Sequence, residues 1–249
     1  MSLSWKRALV LLVAGIVGTL AVIPYQLALL PTLSFPLPLI LLSAVINGAI
    51  FLAIAIALGT WLGARAGLGT PVIDAALRGE PIAARVRAFA SLALALGAGS
   101  AVAVIALDAA AFVPLVPELS GVARPPTPPA WSGLLATLYG AITEETLVRY
   151  GLMSLAAWVV TRVSRSATAY WAAILIAAVL FGLGHLPATA QILPLTPVVV
   201  ARAVALNGLV GVAAGWLYWR HGLESAMLAH GAADLVLHVI LPLLMATSA

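Results

Sequence analysis

Long apolar runs separated by short polar stretches dominate the pattern of this chain of 249 residues. A helix needs about 20 apolar residues to cross the hydrocarbon core of a bilayer. By that measure we predict an all-α, polytopic transmembrane helical bundle of about seven spans. The predicted spans are residues 8–30, 38–63, 88–112, 131–160, 169–187, 198–219 and 223–246. A re-entrant segment within residues 187–200 would raise the number to eight.

Two connections between the predicted spans are long. Residues 64–87 are mixed and basic, so they form either a solvated loop or a short helix on the cytoplasmic surface, and we favour the loop. Residues 113–130 are rich in proline and cannot be helical throughout. They separate a front half with few polar residues from a back half that holds nearly all of the buried ionisable ones. We treat residues 1–249 as a single integral membrane domain, with the N-terminal spans in 1–112.

The composition supports a protein dissolved in lipid. Hydrophobic residues make up 63% of the chain and the mean hydropathy is +1.15, far above the values of soluble domains. There is no cysteine, which excludes disulfides and thiolate metal sites. The formal net charge is +4, but the basic residues are scattered between apolar spans, so we expect no nucleic-acid partner.

The basic residues instead predict the orientation. With the N-terminus in the cytoplasm, nine of them fall on the cytoplasmic side, and only Arg124 and Arg202 lie toward the outside. The nine are Lys6, Arg7, Arg65, Arg78, Arg85, Arg87, Arg162, Arg165 and Arg220. We expect the first span to be retained, not removed as a signal peptide. The arginine-rich, lysine-poor and alanine-rich composition is typical of a GC-rich bacterium, which predicts the plasma membrane as the location.

The stretch TEETLVRYG, residues 143–151, places charges in the middle of a predicted span. Ionisable side chains inside a membrane face the protein interior and usually serve a function. Glu145 and Arg149 are four residues apart on one helical face and can pair. Glu144 is rotated by about 100° and cannot share that partner equally well. A packing ion pair would explain Glu145 and Arg149, but not a second buried glutamate, so we predict that Glu144 is free to act as a general base or acid.

Histidines lie in two later spans. His185 follows two glycines in LFGLGHLP, and His230, Asp234 and His238 follow one another in steps of four in HGAADLVLH. We expect Asp234 to accept a hydrogen bond from His230 and so to fix its tautomer. The role of His238 is left open, as a residue that supports the others.

Three motifs among these residues resemble those of the CPBP family, which contains CAAX proteases and bacteriocin-processing enzymes and is also called Abi. They are E-E-x-x-x-R at residues 144–149, F-x-x-x-H at 181–185 and H-x-x-x-D at 230–234, in the family's order and in separate spans. The resemblance covers roughly residues 131–240 and implies an intramembrane endopeptidase with its catalytic core in 131–246. By this resemblance Glu144 and His185 activate the hydrolytic water, while His230 and Asp234 stabilise the oxyanion. An ionised Asp234 would repel an oxyanion, so it must be protonated or must orient a protonated His230.

The resemblance leaves the cofactor and the substrate open. Glu144, His185 and His230 are zinc ligands by type, and the family is widely labelled metalloprotease, but no H-E-x-x-H helix is present. We favour a metal-free mechanism over a zinc enzyme. Substrates of the family's type are prenylated C-terminal peptides, bacteriocin leader peptides and membrane-protein tails. The alternatives from other classes are a proton- or ion-coupled transporter that uses the buried carboxylates, and a silent membrane scaffold.

A straight-helix estimate raises one difficulty. It places Glu144 and His230 in the cytoplasmic half of the bilayer and His185 toward the outer side. If the three form one site, the fifth span must be tilted, shorter or differently bounded than drawn.

Overall fold

The computed structural model of the protein describes residues 3–29, 35–119 and 127–246. Arg124 and the end of the first predicted span at residue 30 lie outside these ranges. Every regular element within them is a helix, which confirms the predicted all-α fold. In chain order the helices are α1 Leu3–Leu29, α2 Leu37–Gly63, α3 Pro71–Leu77, α4 Ala83–Arg87, α5 Ala90–Leu115, α6 at 130–161, α7 Ala167–Gly184, α8 Leu186–Thr189, α9 Pro197–His221 and α10 Leu223–Ala246.

Six of the long helical stretches are long and apolar enough to cross a membrane: α1, α2, α5, α7 with its extension α8, α9 and α10. The seventh long helix, α6, carries the charges of the TEETLVRYG stretch. Together they are consistent with the predicted number of about seven spans. The region 187–200 contains only the single turn of α8 and the start of α9 within the described chain, so it holds no further span.

Packing around α6 explains how a charged helix fits this bundle. Its residues contact α1, α2, α7, α9 and α10, whereas α5 packs on the far side of α9 and α10. Tyr150 and Met153 of α6 are fully enclosed together with Leu52 of α2 and Ile174 of α7. Glu145 and Arg149, in the charged middle of α6, are therefore enclosed by protein.

The connection at 64–87 differs from the solvated loop that we favoured. It contains the short helices α3 and α4, and Leu68, Val72 and Ala75 are buried. Asp74 accepts hydrogen bonds from Arg7 at 3.0 and 3.1 Å, which ties the connection to the start of α1. The prediction was wrong because Leu68, Val72 and Ala75 cover the ends of the membrane helices, a tertiary contact that the charges of the segment conceal.

Candidate active site

Glu144 and Glu145 lie where α6 departs from regular α-helical geometry. Wide π-type turns run over Tyr139–Glu144 and Thr146–Met153, on both sides of Glu145. Such turns insert an extra residue per turn and are frequent at functional sites. The glutamates of this segment face α7 and α10, where the histidines lie.

Glu145 is held by two partners. Its Oε1 atom lies 3.2 Å from Arg149 Nη1 and 2.7 Å from His230 Nδ1. Arg149 also donates from Nη2 to the Gly211 carbonyl of α9 at 3.1 Å. Glu145 and Arg149 are both fully buried. The predicted pairing of Glu145 with Arg149 is thus present, and it extends to a histidine that is 85 residues away.

Glu144 has the opposite environment. Its Oε1 atom lies 3.8 Å from His185 Nε2, and its Oε2 atom lies 3.7 Å from His230 Nε2. Both separations exceed a hydrogen bond, and polar gaps of this width are where a bridging water fits. The Glu144 side chain is 17% exposed, against none for Glu145. Of the two adjacent carboxylates, one is enclosed and paired and the other is accessible.

Asp234 does not fix the tautomer of His230 as we had expected. Its Oδ1 atom lies 3.6 Å from Nε2 of His230, too far for a hydrogen bond, and the partner of Nδ1 is Glu145. A hydrogen bond at one ring nitrogen decides which tautomer is present. The expectation failed because it considered only residues within one helix, and the closer carboxylate comes from α6.

His238 and Tyr25 extend the polar cluster beyond Asp234. His238 Nε2 lies 3.8 Å from Asp234 Oδ1, and His238 Nδ1 is hydrogen-bonded to the Tyr25 hydroxyl at 3.0 Å. Sequence reasoning missed Tyr25, since a single tyrosine near the end of α1 gives no local signal. Gly140 of α6 makes room for this group, because a Cβ atom there would overlap Asp234 Oδ2 and lie 3.2 Å from His230 Nε2.

His185, which follows α7, lies level with Glu144 in the bundle. The helix begins at Ala167 and ends at Gly184, so Glu144 and His185 lie about equally far along the chain from the 162–166 connection. His185 Nδ1 is 2.9 Å from the Phe181 carbonyl oxygen, which leaves Nε2 to face Glu144. The difficulty over the depth of His185 therefore does not arise in the structure, where its Nε2 atom lies 3.8 Å from Glu144 Oε1.

Phe181 supplies the apolar wall of the site. Its ring meets His185 edge-on with centroids 4.7 Å apart and meets His230 edge-on at 5.6 Å. The guanidinium of Arg149 lies over the same ring at 4.8 Å. One aromatic side chain therefore contacts the buried cation and both imidazoles.

The sequence leaves open whether the site binds a metal ion. In the described part of the chain, no group of three or more His, Asp or Glu side chains is arranged to hold one. Glu144, His185 and His230, the three ligands considered, face one another, but they do not form such a group.

Comparison with known proteins gives a match for the back half of the chain. Residues 126–236 match the family model described as "Type II CAAX prenyl endopeptidase Rce1-like". This range contains all three motifs, and the match confirms the resemblance to the CPBP family. It indicates a membrane protease and does not favour the transporter. No curated protein and no solved structure matches the chain.

Proposed function

We propose that this protein is an intramembrane endopeptidase in which Glu144 activates the hydrolytic water. The proposal rests on one observation: the two adjacent glutamates have different environments. Glu145 is occupied by Arg149 and His230, while the Glu144 carboxylate points between His185 and His230 without a direct hydrogen bond to either. A general base must be within reach of a water and of the reacting bond, and Glu144 is the carboxylate of this pair that can be reached.

In the proposed reaction a water bound between Glu144 and His185 attacks the scissile carbonyl carbon. Glu144 accepts a proton from the water as the new C–O bond forms. The tetrahedral intermediate then collapses, the C–N bond breaks, and the proton passes from Glu144 to the departing amine. The products are a new carboxyl terminus and a new amino terminus, and Glu144 is restored.

His230 and Asp234 are proposed to stabilise the oxyanion. Glu145 accepts a hydrogen bond from His230 Nδ1, which directs Nε2 toward Glu144 and Asp234. A protonated Nε2 in this position can donate to the oxygen on which negative charge develops. Asp234 lies 3.6 Å from Nε2 and is proposed to orient the protonated ring.

The substrate is proposed to be a peptide that reaches the site at the membrane, either a C-terminal or a leader peptide. The match to CAAX prenyl endopeptidases makes prenylated C-terminal peptides the first to be tested. The arginine-rich and alanine-rich composition, which is typical of a GC-rich bacterium, argues for unprenylated peptides as the second. We propose a metal-free mechanism, because no H-E-x-x-H helix is present and a glutamate can activate the water with the same residues.

The test is peptide cleavage by the detergent-purified protein, with a library that contains prenylated and unprenylated peptides. Wild type is compared with Glu144→Gln, Glu144→Ala and the control Glu80→Gln, each with and without a strong chelator. Glu80 is a suitable control because it is an exposed glutamate that pairs with Arg78 and Arg85 on the surface. General acid–base catalysis contributes about 10²–10⁴-fold, so both Glu144 variants should lose at least that much and the control nothing.

Two results would count against the proposal. Unchanged cleavage by Glu144→Gln would remove Glu144 from the role of base. Loss of wild-type cleavage in the chelator, with recovery on adding Zn²⁺, would overturn the metal-free mechanism while leaving the endopeptidase in place.

A further inference from the structure

Three arginines surround a cavity away from the candidate active site. Arg65 follows the end of α2, and Arg162 and Arg165 follow the end of α6. The cavity has a volume of about 440 Å³ and is lined by these arginines together with Trp158 and Thr161. No carboxylate is among the lining residues.

The positive charges in this cavity are not neutralised by the protein. In the described part of the chain, Arg65, Arg162 and Arg165 form no ion pair with a carboxylate. Five other arginines do: Arg7, Arg78, Arg85, Arg149 and Arg202 each lie within 3.2 Å of one. The cavity is therefore a local concentration of unpaired cationic groups.

Contacts with backbone and ring atoms hold these side chains in place. Arg65 donates from Nη1 to the Trp61 carbonyl at 2.6 Å, and Arg165 donates from Nη2 to the Arg65 carbonyl at 3.4 Å. The guanidinium of Arg162 lies 4.2 Å above the Trp158 ring. Each guanidinium carries five N–H donors in a fork that suits phosphate oxygens, so donors remain free after these contacts.

Three apolar residues that precede or follow the lining residues closely along the chain are exposed, and we call them the rim. Trp61 is 69% exposed, Val159 is 52% exposed and Val163 is 91% exposed. These residues lie at the ends of two membrane helices, and tryptophan is enriched where the hydrocarbon region meets the headgroups. A ligand that fits both surfaces carries an anionic group for the arginines and apolar chains for the rim.

We propose that this cavity binds the phosphate group of an anionic phospholipid. Basic pockets between membrane helices on the cytoplasmic side bind lipid headgroups of this kind, and all three arginines lie on the predicted cytoplasmic side. A free phosphate ion would use the same donors but would leave the apolar rim uncovered. The proposal is independent of the peptidase activity, since none of these residues lies in the catalytic cluster.

The test is native mass spectrometry of the full-length protein in detergent, titrated with phosphatidylglycerol or with phosphatidylcholine of identical acyl chains. The variants are Arg65→Gln, Arg162→Gln and Arg165→Gln, singly and combined. Arg87→Gln is the matched control, because Arg87 is exposed on the same predicted side, makes no ion pair with a described carboxylate and lies outside the cavity. A basic residue near the surface contributes an attraction that corresponds to about fivefold in affinity.

We expect wild type to retain the first phosphatidylglycerol more tightly than phosphatidylcholine. Each single substitution should weaken that binding about fivefold and the triple substitution about 100-fold, with Arg87→Gln unchanged. Equal retention of phosphatidylglycerol by wild type and the triple variant would overturn the proposal. Displacement of the lipid by inorganic phosphate at equal concentration would identify a simple anion site and would overturn the lipid assignment. If the triple variant does not fold, the exposed single variants decide by the same criteria.

Discussion

Replacing either member of the buried pair Glu145–Arg149 should destabilise the protein about as much as replacing both. The two side chains are fully buried and 3.2 Å apart. Removing one partner of a buried ion pair leaves an uncompensated charge, which costs about 3–5 kcal/mol of unfolding free energy. Glutamine at position 145 keeps an oxygen that can accept the hydrogen bond from His230, so Glu145→Gln tests chiefly the loss of charge.

A double-mutant cycle of Glu145→Gln and Arg149→Gln measures the coupling energy of the pair. Each single variant should lose about 3–5 kcal/mol, and the double variant should lose about as much as one single variant, not the sum of the two losses. The coupling energy is then about 3 kcal/mol. Reversible unfolding in mixed detergent micelles measures all four free energies.

A surface pair provides the control for this cycle. Arg85 and Glu80 are 3.2 Å apart, but their side chains are 47% and 39% exposed. Water screens such pairs, so the cycle of Arg85→Gln with Glu80→Gln should give a much smaller coupling than the buried pair. Additive losses at Glu145 and Arg149, within about 0.5 kcal/mol, would refute the reasoning, because independent residues add in that way.

Two further predictions concern the residues around Asp234. Gly140→Ala should lower peptide cleavage at least about tenfold with little loss of stability, because the new methyl group displaces the end of the Asp234 side chain. Gly99→Ala is the control, since its Cβ would meet nothing within 4 Å, and equal cleavage by both variants would mean that Asp234 need not be held there. Tyr25→Phe removes the hydrogen bond to His238 Nδ1 and should lower kcat about tenfold with KM unchanged. Unchanged kcat would mean that Tyr25 and His238 contribute only to packing.

Features that depend on residues close together in the sequence could be predicted well. The apolar runs predicted the helices, and most predicted ends lie within a few residues of the observed ones; α1, for instance, begins at Leu3 instead of residue 8. The spacing of Glu145 and Arg149 predicted their pairing, because residues four apart share a helical face. The same spacing brought Asp234 near His230, although without the hydrogen bond that we had expected.

Features that depend on packing between distant segments could not be predicted. The hydrogen bond between Glu145 and His230 joins α6 to α10, and the contact of Tyr25 with His238 joins α1 to α10. No periodicity in one helix indicates its partner in another. The wide turns of α6 also have no composition signal, since they depend on how the polar segment meets its neighbours.

The contact between Glu145 and His230 gives the buried ion pair of Glu145 and Arg149 a second role. From sequence, a pair that merely holds helices together and a pair that serves the site were separate readings. In the structure Arg149 compensates Glu145, and the same Glu145 oxygen fixes Nδ1 of His230. The orientation of the His230 imidazole next to Glu144 therefore depends on Arg149, which acts on it through Glu145. A variant that removes Arg149 should thus disturb the position of His230 as well as the stability of the bundle, and the two effects have one physical cause.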